Sequence, residues 1–216
     1  MMEAFGLVSG GSAGRNPRRP RAVAFPVSTH APTLHPFVVE RFSPTRFQPD
    51  HRITPAEITT LIEAARRAPS AGNSQPWSFL VAARGDAVHR RMVGHLARSS
   101  GTWAPQASLL VANLVQRRIE DSDFEYSEFA HYDLGQAVAH LTVQAHELGL
   151  QVHQFRAFDR DGLHREFAVP DHWEIATLAA VGLPAHAPTE TTGTSTSRSR
   201  RELHEVLWAV SDVAAP

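Results

Sequence analysis

Ala68-Pro69-Ser70-Ala71-Gly72-Asn73-Ser74-Gln75-Pro76-Trp77 is the most informative run in this chain. Its small residues let a planar ligand approach the backbone closely, while the amides of Asn73 and Gln75 can pair with ring donors and acceptors. The same residues also suit a plain helix-to-strand turn in which Asn and Gln hydrogen-bond their own backbone, and taken alone they leave both readings open. Just upstream, Thr54-Pro55-Ala56-Glu57 offers a capping Thr, Pro at the first helical position and Glu at the third. Ile58, Leu61, Ile62 and Ala65 then repeat on one helical face, so a helix leads into the loop.

Further out, residues 79–83, 109–115 and 177–181 are short apolar runs bounded by breakers, with the length and β-branched content of buried strands. Residues 133–148 predict a second long helix, with Leu134, Ala137, Val138, Leu141, Ala145 and Leu148 inward and Gly149 as its stop. Strands interleaved with helices predict an α/β or α+β layered domain whose helices pack on a mixed sheet. Residues 1–30 read as a tail without apolar periodicity, and 188–199, rich in Thr and Ser, as a loose loop. The expected organisation is therefore a tail followed by one domain over 31–216. Arg18-Arg19 is not read as an export signal, because Pro26 interrupts the apolar run that follows it.

Composition removes several classes of chemistry. A net charge of −1 leaves no basic surplus for a nucleic-acid backbone, and no stretch is apolar enough for a membrane span, so neither is an expected partner. With no cysteine there are no disulfides, thiolate metal sites or cysteine nucleophiles, which fits a cytoplasmic setting. All 21 basic residues are Arg, which excludes a P-loop Lys and Lys Schiff-base chemistry. The 13 histidines include no His-Glu-x-x-His, so no metal site is expected. The glycines at 10, 11 and 14, which with Ser12 spell Gly-x-Ser-x-Gly, neither follow a strand nor open a helix, so neither a nucleophile elbow nor a dinucleotide fingerprint is expected there.

Ahead of the first helix, Arg41-Phe42-Ser43-Pro44-Thr45-Arg46-Phe47 puts guanidinium groups and a hydroxyl on one extended stretch, where they could converge on a phosphate. With this segment before the helix and residues 68–77 after it, the chain resembles the nitroreductase family. The likeness continues through Asp133-Leu134-Gly135-Gln136, Leu148-Gly149-Leu150 and Phe158-Asp159 to Arg200-Arg201-x-Leu203, spanning roughly residues 35–210.

The resemblance implies an α+β three-layer sandwich, a mixed central sheet flanked by helices, and an intertwined homodimer with FMN at the subunit interface. NADH or NADPH would be the electron donor, and a nitroaromatic or quinone the acceptor, in ping-pong turnover. By the same resemblance, Arg41, Phe42 and Ser43 belong to the phosphate segment, joined by Arg200 and Arg201. Thr45, Pro69, Ser70, Asn73 and Gln75 would meet the flavin body, some of them across the interface. Gln154, Phe155, Arg156 and Ala157 would carry the main-chain N–H groups that face flavin N5 and O4. The variable segment 117–132 would line the substrate pocket. Two positions depart from the family pattern: Thr45 stands where Arg or Lys is usual, and Ala157 where Gly is usual. No catalytic side chain is expected, because the flavin itself carries the redox chemistry. The alternatives are a flavin-storage protein without turnover, and a specialised member catalysing a biosynthetic step such as dehydrogenation.

Overall fold

The computed structural model describes residues 33–190 and 197–208 of the chain. Leu34–Arg198 forms one compact unit, and residues 199–208 belong to a second. The expected tail at 1–30, and residues 191–196 of the expected loose loop, lie outside the described residues. The first unit runs α1 (Pro36–Glu40), α2 (Pro55–Arg66), β1 (Trp77–Ala83), α3 (Ala87–Val93), α4 (Arg98–Gly101), β2 (Leu109–Gln116), α5 (Ala130–Glu147), β3 (Gln151–Phe155), α6 (Arg160–Glu166) and β4 (Trp173–Gly182). In the second unit, α7 (Leu203–Val206) starts with a capping box between Glu202 and Glu205.

Local sequence explains the long helices. At the start of α2, Thr54 accepts from Glu57 N while the Glu57 carboxylate accepts from Thr54 N at 2.7 Å, which satisfies two donors the first turn would otherwise leave open. Leu61 and Ala65 face inward. The α5 helix ends as a Schellman motif: Gly149 takes φ +74°, and Leu150 N returns to Ala145 O at 2.8 Å. It starts at Ala130, three residues before the position the periodicity predicted.

Strand order is β1-β2-β4-β3, and every pairing among the described strands is antiparallel, so the expected mixed sheet is corrected. Continuous apolar runs such as Leu109–Gln116 suggest strands covered on both faces, which is the usual mark of a parallel sheet. Here that double cover belongs to an antiparallel sheet. Leu110, Ala112 and Leu114 pack on one face with Met92 of α3 and Leu163 of α6. Leu109 and Val111 pack on the other with Leu61 of α2 and Leu141 of α5. The three layers expected from the resemblance are therefore present.

Between Asn113 and Leu114 the register of β2 on β4 slips, so that Thr177 pairs with Asn113, Ile175 pairs with Leu114, and Ala176 is left between them. Such a bulge withdraws a residue from the ladder and leaves its carbonyl to find another donor. The Ala176 carbonyl finds one in Arg156, just beyond β3.

Two histidines couple this core to pH. His89 on α3 is buried, and burial lowers its pKa below the ordinary 6.5. Burial lowers His153 on β3 in the same direction. Above 6.5 both are neutral whether the chain is folded or not, so neither costs stability. Below it the unfolded chain takes up the protons first, and stability falls until the folded-state pKa values are reached. A Tm that declines from about pH 6.5 downward is expected, with a shallower decline in His89→Phe. Scanning calorimetry across that range checks this, and a flat Tm would contradict it.

Candidate functional site

The segment 41–47 is fastened along the edge strand β3. Phe42 is buried, its ring edge-on to His186 at 5.4 Å, and Phe42 N donates to Gln151 Oε1 at 3.2 Å. The Pro44 carbonyl lies 2.9 Å from His153 Nδ1, whose ring stacks on Trp103 at 4.3 Å. Thr45 N donates to His186 Nε2 at 3.2 Å. Burial of Phe42 and Pro44 leaves the alternate residues Arg41, Ser43 and Thr45 partly exposed. Arg41 Nη2 donates to Ser43 Oγ at 3.3 Å, bringing a cation and a hydroxyl to one point. Arg46 is engaged elsewhere, with Glu190 at 3.0 Å.

The loop 69–76 is held in an unusual backbone form. Gly72, Asn73 and Gln75 have φ of +58°, +56° and +49°, and in the two non-glycine residues that region costs roughly 1 kcal/mol or more each. Side chains from outside the loop hold it there. The buried carboxylate of Asp133 accepts from Ala71 N at 3.0 Å, and Tyr126 OH donates to the Ser74 carbonyl at 2.8 Å. Inside the loop, Ser70 Oγ accepts from Gln75 N at 3.0 Å, and Gln75 Nε2 donates to Asn73 O at 3.1 Å. The plain-turn reading is thus half realised: Gln75 bonds its own loop, whereas the Asn73 amide has no partner among the described residues. Pro69, Asn73 and Gln75 are exposed.

The third segment follows β3. Gln154 is exposed, and Phe155 packs edge-on to Trp103 at 5.1 Å. Arg156 donates to the bulge carbonyl of Ala176, and its guanidinium lies 6.0 Å above the Phe158 ring. The Ala157 carbonyl accepts from Ala97 N at 3.1 Å and from Ser100 Oγ, while its N–H donates to none of the described residues.

The profile of the nitroreductase family matches residues 38–100, which hold the first two of these segments. Over that span the chain is similar to the nitroreductase family. A chain from Archaeoglobus fulgidus, provisionally named NADH dehydrogenase/NAD(P)H nitroreductase, is 24% identical over 145 residues, which is 64% of this chain and 79% of its own. The solved structure of an FMN-containing oxidoreductase superposes at a TM-score of 0.73 and 24% identity, over 87% of this chain and 95% of its own. A provisionally named nitroreductase from Desulfovibrio desulfuricans, solved in complex with FMN, gives a TM-score of 0.63 at 24% identity, over 83% of this chain and 99% of its own. At these identities the solved structures establish a shared nitroreductase fold.

Within the chain, the nitroreductase segments do not all meet. His153 joins 41–47 to the strand that leads into 154–157. The loop 69–76 instead precedes β1, at the opposite edge of the sheet. Three interstrand steps, about 14 Å, separate those edges. Arg200 and Arg201 belong to the second unit, where Arg200 bonds the Ser199 carbonyl at 3.0 Å.

Sequence reasoning missed several supporting residues. Arg198, not singled out, donates to Arg41 O at 2.9 Å and to the Val39 carbonyl, and so caps the last turn of α1 beside the segment 41–47. Asp133 stood in a family motif without a role, and its inward carboxylate at the start of α5 was the available signal. Removing it should free the loop. Asp133→Leu should lower stability by about 1–3 kcal/mol through the unsatisfied Ala71 N–H, with Asp133→Asn milder because it keeps an acceptor. Hydrogen exchange should accelerate across residues 70–75 in Asp133→Leu, and unchanged protection there would contradict the assignment.

Proposed function

We propose that the protein is an FMN-dependent NAD(P)H oxidoreductase that reduces an electron-poor organic acceptor, nitroaromatic or quinone in type, by ping-pong turnover as a cytoplasmic homodimer. The observation that carries this reading is the paired motif: a cation and hydroxyl 3.3 Å apart at Arg41 and Ser43, together with the left-handed loop at 70–75, both in the stretch that matches the family.

The residues present fit the flavin. Arg41 and Ser43 have the chemistry of a phosphate clamp, with Arg200 and Arg201 as further candidates. Phe42, its ring buried and its N–H bonded to Gln151, anchors that segment to β3. Nothing lies within 4 Å of where a Cβ on Gly72 would stand, so the loop backbone is open to close approach. The unpartnered Asn73 amide and Ala157 N–H supply the donors and acceptor that the edge of a heteroaromatic ring requires. Pro69, Ser70, Gln75 and Thr45 border the ring on this reading, and Gln154, Phe155 and Arg156 hold the backbone of Ala157 in position. When bound, FMN supplies reversible two-electron chemistry between NAD(P)H and the acceptor.

Dimerisation follows from the separation of the segments. If one flavin needs both 41–47 and 69–76, and these lie on opposite edges of one chain's sheet, the loop has to serve a second copy. Exposed Val38, Val39, Phe129, Tyr132 and Val143 supply apolar surface for that contact. Purified protein should sediment as a dimer and consume NAD(P)H with menadione far in excess of its flavin content. A monomer with full flavin content, or a yellow protein without turnover, would contradict the dimer or the enzyme respectively.

Thr45 gives a sharper test. No cation stands at this position, and Arg46 is paired with Glu190. A guanidinium about 4 Å from developing negative charge is worth roughly 4 kcal/mol at an effective dielectric of 20. Thr45→Arg should therefore raise the midpoint potential of bound FMN and quicken reduction by NAD(P)H. Dye-coupled potentiometry at matched flavin content reads this, and an unchanged or lower potential would contradict it.

A further inference from the structure

Five chain segments bring their ends to one carboxylate. Glu174 lies near the start of β4 with its side chain 23% exposed, and Arg160 Nη1 reaches its Oε1 at 3.2 Å while Arg117 Nη1 reaches Oε2 at 3.3 Å. Arg156 Nη1 lies 3.8 Å from Oε1 and His131 Nε2 3.7 Å from Oε2. The other acidic group within ion-pair distance of these arginines, among the described residues, is Asp161, 4.0 Å from Arg160 and 82% exposed. Two carboxylates thus face three guanidiniums, and positive charge is left over.

A solvated surface network would also cluster arginines, but two features set this one apart. The Ala176 carbonyl freed by the β4 bulge fixes Arg156, which places the guanidinium one residue from the unpartnered Ala157 N–H. Arg117 begins the segment that runs through Tyr126, whose hydroxyl holds the loop at Ser74, so the cluster is tied to both the second and the third candidate segments. Glu174 also leaves donors unspent. Each guanidinium presents five N–H donors in a rigid plane, and one carboxylate cannot occupy those of three arginines.

We infer that Arg117, Arg156 and Arg160, aligned by Glu174, form the subsite that receives an oxyanion, carboxylate or phosphate, carried by the substrate. This rests on the oxidoreductase reading for its placement beside the flavin, whereas the anion preference can be measured without turnover. The oxyanion could belong to the acceptor or to the 2′-phosphate of NADPH, and the guanidinium chemistry that recognises it is the same.

The test is calorimetric binding of 4-nitrobenzoate and of neutral 4-nitrobenzamide, and in parallel of NADP+ and NAD+, which share the 2′-phosphate difference and cannot reduce the flavin, to wild type, Arg117→Gln, Arg160→Gln and Glu174→Gln. These arginines are partly exposed, so each loss should cut the preference for the charged ligand by roughly three- to tenfold, with the effect shrinking in high salt. Binding of 4-nitrobenzamide, and of the nucleotide without the 2′-phosphate, should be unaffected. Glu174→Gln should move the preference the opposite way, a sign that a purely structural role would not give. A change confined to the nitrobenzoate pair assigns the subsite to the acceptor, and one confined to the nucleotide pair assigns it to the donor. Equal effects on charged and neutral ligands in every variant, or no preference in wild type, would overturn the subsite. A preserved anion preference in a protein that never turns over would instead sink the oxidoreductase reading and leave the subsite standing.

Discussion

The hydrogen bond from Ala71 N to the buried carboxylate of Asp133 joins the part of the chain that would bind a ligand to the part that gives it rigidity. A carboxylate removed from water is tolerable only where donors meet it, and the donors here are a loop N–H and the Gln136 amide at 3.4 Å. Because Asp133 sits on α5, and α5 packs on the sheet with α2, the loop is anchored to the same layer at both ends. That is how the left-handed backbone at Gly72, Asn73 and Gln75 is kept, in a conformation that the side chains of Asn73 and Gln75 disfavour.

The sheet imposes the second constraint. Antiparallel order β1-β2-β4-β3 sends the 69–76 loop and the 41–47 segment to opposite edges, so the matched stretch is continuous in sequence but divided in space. The bulge at Ala176 then turns an irregularity of the ladder into a fixed point for Arg156. Backbone geometry, more than any single reactive side chain, sets where donors are left unpartnered. This suits chemistry that a cofactor supplies and a protein only orients.

Much of this was legible in the sequence. The capped start of α2, the Gly149 stop of α5 and the apolar runs of β1, β2 and β4 carried local signals strong enough to survive tertiary packing. The β3 strand did not: Gln151–Phe155 is short, mixed in polarity and on an edge, where burial pattern is weak. Strand direction was equally hidden, because double-sided burial looks the same in parallel and antiparallel sheets. At the site, the residue types at Arg41, Ser43 and Asn73 were readable. That Gln75 would bond its own loop, that Arg198 would reach Arg41, and that Glu174 would gather three arginines depended on long-range geometry that no local pattern encodes.

The most direct test of the central claim is to titrate flavin-stripped protein with FMN and with riboflavin, which share the ring and differ in the phosphate. A charge-assisted contact to phosphate contributes roughly 1.5–3 kcal/mol, so FMN should bind at least about tenfold more tightly, and Arg41→Ala should erase most of that difference. Equal affinity for the two flavins, or no binding of either, would contradict the account.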